Sequence, residues 1–247
     1  MEAAAKHDVH FIVLDRPNPN GMHVDGPILQ KQFQSFVGMH PIPVLHGLTV
    51  AELALMIKGE KWIALADQLR LTVIPMQGYR KTMRYSLPVP PSPNLPNDIA
   101  IELYPSLCFF EATAVSVGRG TDYPFQQIGH NTVKLGEHTF QPEPRPFAAP
   151  NPKLEGQTLH GIDMRISGIK GLSLRPLINA YQQFRNANQP GVTFFTNPDF
   201  MDKLAGTDAI RLAIEAGLSE SEIRMSWQEG LSDYTRMRAQ YLLYPIN

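Results

Sequence analysis

The sequence predicts an α/β fold with a parallel sheet near its amino end, and three observations carry that expectation. Residues Val9 to Leu14 form an apolar run, broken only by His10, that stops at "DRPNPNG"; a buried parallel strand reads this way when it empties into a loop at its carboxyl end. A helix with its own start signal follows, and then a second apolar strand in "LRLTVIPM". Strand, helix and strand in that order make a βαβ unit, whose two strands lie parallel.

Each element follows from its residues. "MEAAAKH" reads as the last turns of a helix, because Ala, Glu and Lys are strong helix formers and His7-Asp8 breaks the pattern. The strand over 9–14 comes next, and its carboxyl end is where open α/β sheets bind ligands. In "HGLTVAELALMIKGE", Thr49 and Glu52 have the spacing of a capping box, while Leu53, Met56 and Ile57 supply an apolar face. "SLPVPPSPNLP", Ser86 to Pro96, can be neither helix nor central strand, so its end sets a boundary between domains over 1–97 and 98–247. "IAIELYPSLCFFEATAVSVGRGT" is expected to be strand-rich with one proline interruption, and "QPEPRPFAAPNP", Gln141 to Pro152, to be a long ordered surface loop.

The last third predicts helices. Ser173 can cap "LRPLINAYQQFRN", with Pro176 tolerated in the first turn, and Thr207 can cap "DAIRLAIEA", which Gly217 ends. Ser219 and Glu222 make a second capping box ahead of a helix whose Ile223, Trp227 and Tyr234 fall on one stripe. "YLLY" reads as a short closing strand.

Composition narrows the function classes. With 22 basic against 23 acidic residues the net charge is −1, so no global field favours nucleic acid or an anionic membrane. Cys108 stands alone and forms no internal disulfide. No apolar stretch reaches the roughly 18 residues of a membrane span, and the opening residues lack the pattern of an export signal, which leaves the compartment open. There is no metal-ligand spacing, no P-loop and no G-x-S-x-G around Ser92, so no metal, no cofactor and no serine-hydrolase chemistry is expected.

At "VLDRPNPNGMHVDGP", "GMHPIPVLHGLTVAELA", "PSPNLP" and "VSVGRGTDYPFQQIG" the sequence resembles the DUF1343 family, now called NamZ, the exo-β-N-acetylmuramidases of bacterial cell-wall recycling. Four stretches in this order are far more specific than a single glycine-rich triplet, and the likeness runs from Met1 to the terminal "YLLY". The resemblance implies a partial Rossmann-like parallel sheet, a smaller α/β carboxyl-terminal domain, and an active cleft between the two. It implies release of N-acetylmuramic acid from the non-reducing end of peptidoglycan fragments, so the expected partners are peptidoglycan-derived muramyl sugars; most members are exported. Members run further at the amino end, where the earlier strands lie along with a Pro-Glu-His-Gly stretch whose glutamate is the proposed catalytic residue. The sole Glu-His pair here, Glu137-His138, is followed by threonine, and that role carries over to no residue of this chain. The chain therefore reads as the carboxyl-terminal portion of such an enzyme, with an apolar sheet edge and face exposed and poor solubility as the consequence. A non-catalytic muramyl-sugar-binding fragment is the competing reading.

Glycoside hydrolysis generally uses two carboxyl groups flanking the bond, and the lactyl carboxylate of muramic acid suits an arginine fork. Asp15, Arg16 and Asn18 stand at the carboxyl end of the first strand, as candidate contacts or as mere turn formers. His46 can donate to a sugar hydroxyl or act as acid or base, whereas the capping spacing of Glu52 explains it without a substrate. Asn94 sits on a rigid proline-rich loop. Glu111 follows an apolar run that buries it in part and raises its pKa, as a proton donor requires. Arg119, between Gly118 and Gly120, is the choice for the lactyl carboxylate; the alternative is a structural Glu111–Arg119 ion pair. Phe109, Phe110, Tyr123 and Phe125 can stack on sugars but read mostly as core, as do Trp62 and Trp227.

Overall fold

A computed structural model describes residues 1–21 and 23–246. After α1 (Glu2–Lys6) comes β1 (Phe11–Leu14), then β2 (Val24–Ile28), β3 (Pro43–His46), α2 (Val50–Gly59) and β4 (Leu71–Ile74). β1 and β4 pair in parallel from Phe11↔Leu71 to Leu14↔Ile74. The α/β class and its βαβ unit are thus in place. α2 lies on this pair through Ala51 and Ala54, packed with Val13, Phe11, Leu71 and Val73, and its Thr49–Glu52 capping box is closed on both sides. Leu14 on the outer strand is 73% exposed and Ile12 55%. β2 and β3 form an antiparallel hairpin between β1 and α2 that the apolar pattern does not announce: Gly26 and Pro27 interrupt β2, and its register shifts there.

The segment expected to be strand-rich is helical. Asn97 caps α3 (Asp98–Leu107) by accepting from the Ala100 amide, and the chain tightens into a 3₁₀ turn over Cys108–Ala112. Ala100, Ile101, Leu103 and Leu107 line its buried side. Pro105 is tolerated late in the helix, where its missing N–H removes a single bond and the next turn winds to i+3.

β5 (Gln127–His130), β6 (His138–Phe140) and β7 (Leu159–Asp163) make an antiparallel sheet in the order β5-β7-β6. Gly161 on the central strand admits no side chain, since a Cβ there would lie 1.7 Å from the Ile128 carbonyl oxygen. The chain ends in α4 (Arg175–Ala187), α5 (Pro198–Ala205), α6 (Ala209–Glu215), α7 (Glu220–Met225) and α8 (Gln228–Ala239). Ser173 and Thr207 accept from Arg175 and Ala209 amides rather than capping as full N-caps. The expected single carboxyl-terminal helix breaks at Ser226–Trp227, yet Ile223, Trp227 and Tyr234 are all buried as the stripe required. "YLLY" forms no strand: its Leu243 amide donates to Glu52, and Lys81 donates to Pro245, so these groups are satisfied without a ladder.

The largest core holds Leu107, Phe109, Phe110, Ile128, Leu174 and Leu177 together with Leu45 of β3, so the hairpin belongs to the same packing as the later helices. Asp25 on β2 fastens it there, accepting from Arg224 and from Trp227 Nε1 at 3.2 Å while also bonding the Gly26 amide. Asp25→Ala leaves the Trp227 indole N–H unpaired and takes the carboxylate from Arg224, which keeps the Leu172 carbonyl, and is expected to lower unfolding stability by about 1–3 kcal/mol in urea titration; a change within about 0.5 kcal/mol would show the fastening to be idle.

Candidate functional site

Two hollows share Glu111 as a common wall. The smaller, of about 290 Å³, is bounded by Glu111, Val115–Val117, Arg119 and the loop Ala149–Lys153. The larger, of about 560 Å³, runs from Glu111, Tyr104 and Cys108 to Lys203 on α5 and across the hairpin face that carries Leu29, Phe36, Val44 and His46. Phe36 stands fully exposed on its rim.

Glu111 reaches this position from the 3₁₀ turn after α3. Phe109, Phe110 and Ala112 in the same turn point into the core, which leaves Glu111 as the side chain turned outward. Burial raises its pKa, against the opposing charges of Arg119 and Lys153. The Arg119 guanidinium lies 3.9 Å from its carboxyl, an ionic distance but beyond hydrogen-bond reach. Gly118 and Gly120, at φ 75° and 85°, turn the chain on either side of Arg119. A Cβ on Gly120 would meet the Glu143 carbonyl at 2.6 Å and Pro152 at 2.8 Å, so glycine there lets the 141–153 loop close down as the far wall.

His46 lines the larger hollow. Its Nδ1 accepts from the Leu48 amide at 3.1 Å, which places the ring proton on Nε2. Burial, with Lys81 and Arg238 nearby, pushes its pKa down to about 4, so the ring is a neutral hydrogen-bonding group rather than a cation. Tyr104 is raised to about 12, chiefly by burial, and keeps its proton.

Of the residues singled out from sequence, the structure brings His46, Glu111 and Arg119 onto this paired hollow. Asn94 is buried behind it, its Nδ2 donating to the Ala148 carbonyl at 2.7 Å, so it holds the loop wall. Asp15, Arg16 and Asn18 lie elsewhere. Asp15 accepts from the Thr49 hydroxyl, the Ala51 amide and the Tyr244 hydroxyl, joining the start of α2 to the chain's last residues. Arg16 lines a separate groove between β1 and α2, and Asn18 bonds the Leu48 carbonyl and the Asn20 amide. Phe109, Phe110 and Phe125 are core; the Tyr123 ring is covered by the Arg165 guanidinium at 3.8 Å. Trp227 is buried and Trp62 stacks on His40. Sequence reasoning passed over Tyr104, Lys153 and Lys203, none of which sits in a residue pattern that marks it.

Among the described residues no group of three or more His, Cys, Asp or Glu side chains is placed to hold a metal ion, and no helix is long and apolar enough to cross a membrane.

Comparison with known proteins adds the relationships. Residues 1–99 match the family model described as exo-beta-N-acetylmuramidase NamZ, N-terminal, and residues 102–244 match its C-terminal counterpart. The peptidoglycan beta-N-acetylmuramidase NamZ of Bacillus subtilis (strain 168) is 35% identical over 262 residues, an overlap taking in 99% of this chain. The chain spans 62% of the length of that curated relative. Two crystal structures of DUF1343 family proteins from Bacteroides fragilis NCTC 9343 share the fold. One has a TM-score of 0.91 at 43% identity, covering 100% of this chain and 69% of the solved one. The other has a TM-score of 0.83 at 25% identity, covering 99% and 68%.

Proposed function

Because the chain belongs to the exo-beta-N-acetylmuramidase NamZ family, we propose that its paired hollow engages the muramic acid terminus of peptidoglycan fragments. The observation that carries this reading is the sharing of Glu111 by both hollows: a saccharide spanning them sets the bond between its units against that carboxyl. The smaller hollow suits the acidic sugar, with Arg119 opposite the lactyl carboxylate. The larger, with its mainly apolar wall, suits the remainder of the glycan. A carboxyl of raised pKa is the group needed to protonate a leaving oxygen, and His46 Nε2–H offers a donor to a hydroxyl or carbonyl.

Hydrolysis generally asks for a second carboxyl. Glu111 is the one acid lining either hollow among the described residues, and this favours a second reading, binding without turnover. Release of chromophore from a chromogenic β-N-acetylmuramide by this chain supports hydrolysis, whereas binding without release supports the second.

Calorimetry tests the common premise. N-acetylmuramic acid is expected to bind more tightly than N-acetylglucosamine, which lacks the lactyl carboxylate, and Arg119→Glu to lower its affinity at least about tenfold while sparing the neutral sugar. Equal binding of both sugars, or indifference to the charge reversal, would remove Arg119 from the site.

A further inference from the structure

The helical run that starts at Asp98 and ends at Ala112 has one local closure, Thr113, whose amide and hydroxyl both donate to the Phe110 carbonyl at 3.0 and 2.9 Å. Helix ends leave carbonyls unbonded and carry partial negative charge, and a glycine in left-handed conformation commonly closes them. Here "CFFEATAVSV" contains no glycine before Gly118. The donor that ties this end to the carbonyls beyond it comes from about forty residues further along. Lys153 Nζ donates to the carbonyls of Phe110 at 3.4 Å, Val115 at 3.3 Å and, closest, Thr113. Three ammonium protons meet three carbonyls, all of them in or next to the turn that bears Glu111.

We propose that Lys153 is a positioning residue, which fixes Glu111 between the two hollows by tying the turn that carries it to the segment that follows. An ammonium whose protons are all spent on backbone oxygens is a poor ligand contact, although it lines the smaller hollow. It is also costly to hold there: burial pushes its pKa down to about 8. A half-buried cation at that cost, delivered by a loop that Gly120 allows to close, serves the turn it braces.

The brace also governs the proton on Glu111. Tyr104 and Cys108 face that carboxyl from α3 and the turn, Arg119 from the following loop, and His46 and Lys203 across the larger hollow. Arg119 and Lys153 are the cations that oppose the effect of burial on it. Removing Lys153 therefore favours the protonated acid.

This inference rests on the functional reading above only for the role given to Glu111, and its test is independent of sugar binding. The Glu111 carboxyl is followed by ¹³C NMR against pH in the full chain, with Glu111→Gln for assignment. In Lys153→Met the midpoint is expected to move upward, and in Lys153→Arg to stay near the parent value. A native amide spectrum with an unmoved midpoint in Lys153→Met overturns the proposal. Should that variant fail to fold, the parent chain decides: the ionised Glu111 carboxyl is expected to shift a second time as Lys153 loses its proton near pH 8, and a flat response overturns the proposal. If the midpoint moves but N-acetylmuramic acid does not bind the parent chain, the functional reading fails and the brace stands.

Discussion

Glu52→Gln is expected to cost the protein about 3–5 kcal/mol of unfolding stability, the penalty for leaving a buried ion without its partner. Glu52 is fully buried and its Oε2 lies 2.5 Å from Lys81 Nζ, itself 1% exposed. The same carboxylate closes the capping box on the Thr49 amide and accepts from the Leu243 amide at 2.9 Å. Gln keeps one oxygen and removes the charge; the Thr49 and Leu243 amides use different carboxylate oxygens, so the loss combines the ion pair with one amide bond. Lys81 then retains the Gly47 carbonyl at 2.9 Å but loses its anion, with the Arg238 guanidinium on that same carbonyl at 3.1 Å. A capping contribution alone is worth about 1 kcal/mol, so urea denaturation discriminates between the two. A loss of that smaller size would mean that Glu52 acts as a cap and no more. In a double-mutant cycle Lys81→Met should cost much less in the Glu52→Gln background than in the parent.

That network shows where sequence reading stops. The capping box was legible because Thr49 and Glu52 are three residues apart and helix starts are local. The Lys81, Arg238 and Leu243 contacts were not, because no spacing rule connects positions so far apart in the chain. Asp15 met the same limit. It stands where a ligand-binding carboxylate is expected at the end of β1, yet Thr49 and Tyr244 take up one of its oxygens and the Ala51 and Arg16 amides the other.

β1, α2 and β4 are readable from apolar periodicity, whereas α3 is not, because its Ile, Leu and Tyr content resembles a strand and Pro105 argues against a helix. The Asn97-Asp98 start signal was present and outweighs both. In the site, Glu111 and Arg119 were readable from the abrupt end of an apolar run and from flanking glycines. Lys153 left no such trace, since its partners are carbonyls, which every residue type carries.

His46 gives the second large effect. Its folded pKa of about 4 lies below the unfolded value of about 6.5, so the unfolded chain takes up a proton there before the native one does. The sign follows: the His46 contribution to stability is fully present above about pH 6.5, falls as the pH drops through the window, and by about pH 4 amounts to a loss of about 3 kcal/mol. His40 and His130 are also lowered, chiefly by burial, and add to the same slope, so comparison with a variant is needed. His46→Asn keeps an acceptor for the Leu48 amide and does not titrate. Its unfolding free energy should fall less between pH 7 and pH 4 than that of the parent, and parallel profiles would refute the assignment. Imidazole resonances give a direct check, since His46 should keep its neutral shifts well below pH 6. A ring that stays neutral while Lys81 and Arg238 stand behind it cannot act as a charged acid in the hollow near neutral pH. Its part there reduces to an Nε2–H donor, so in the proposed reading proton exchange falls to Glu111.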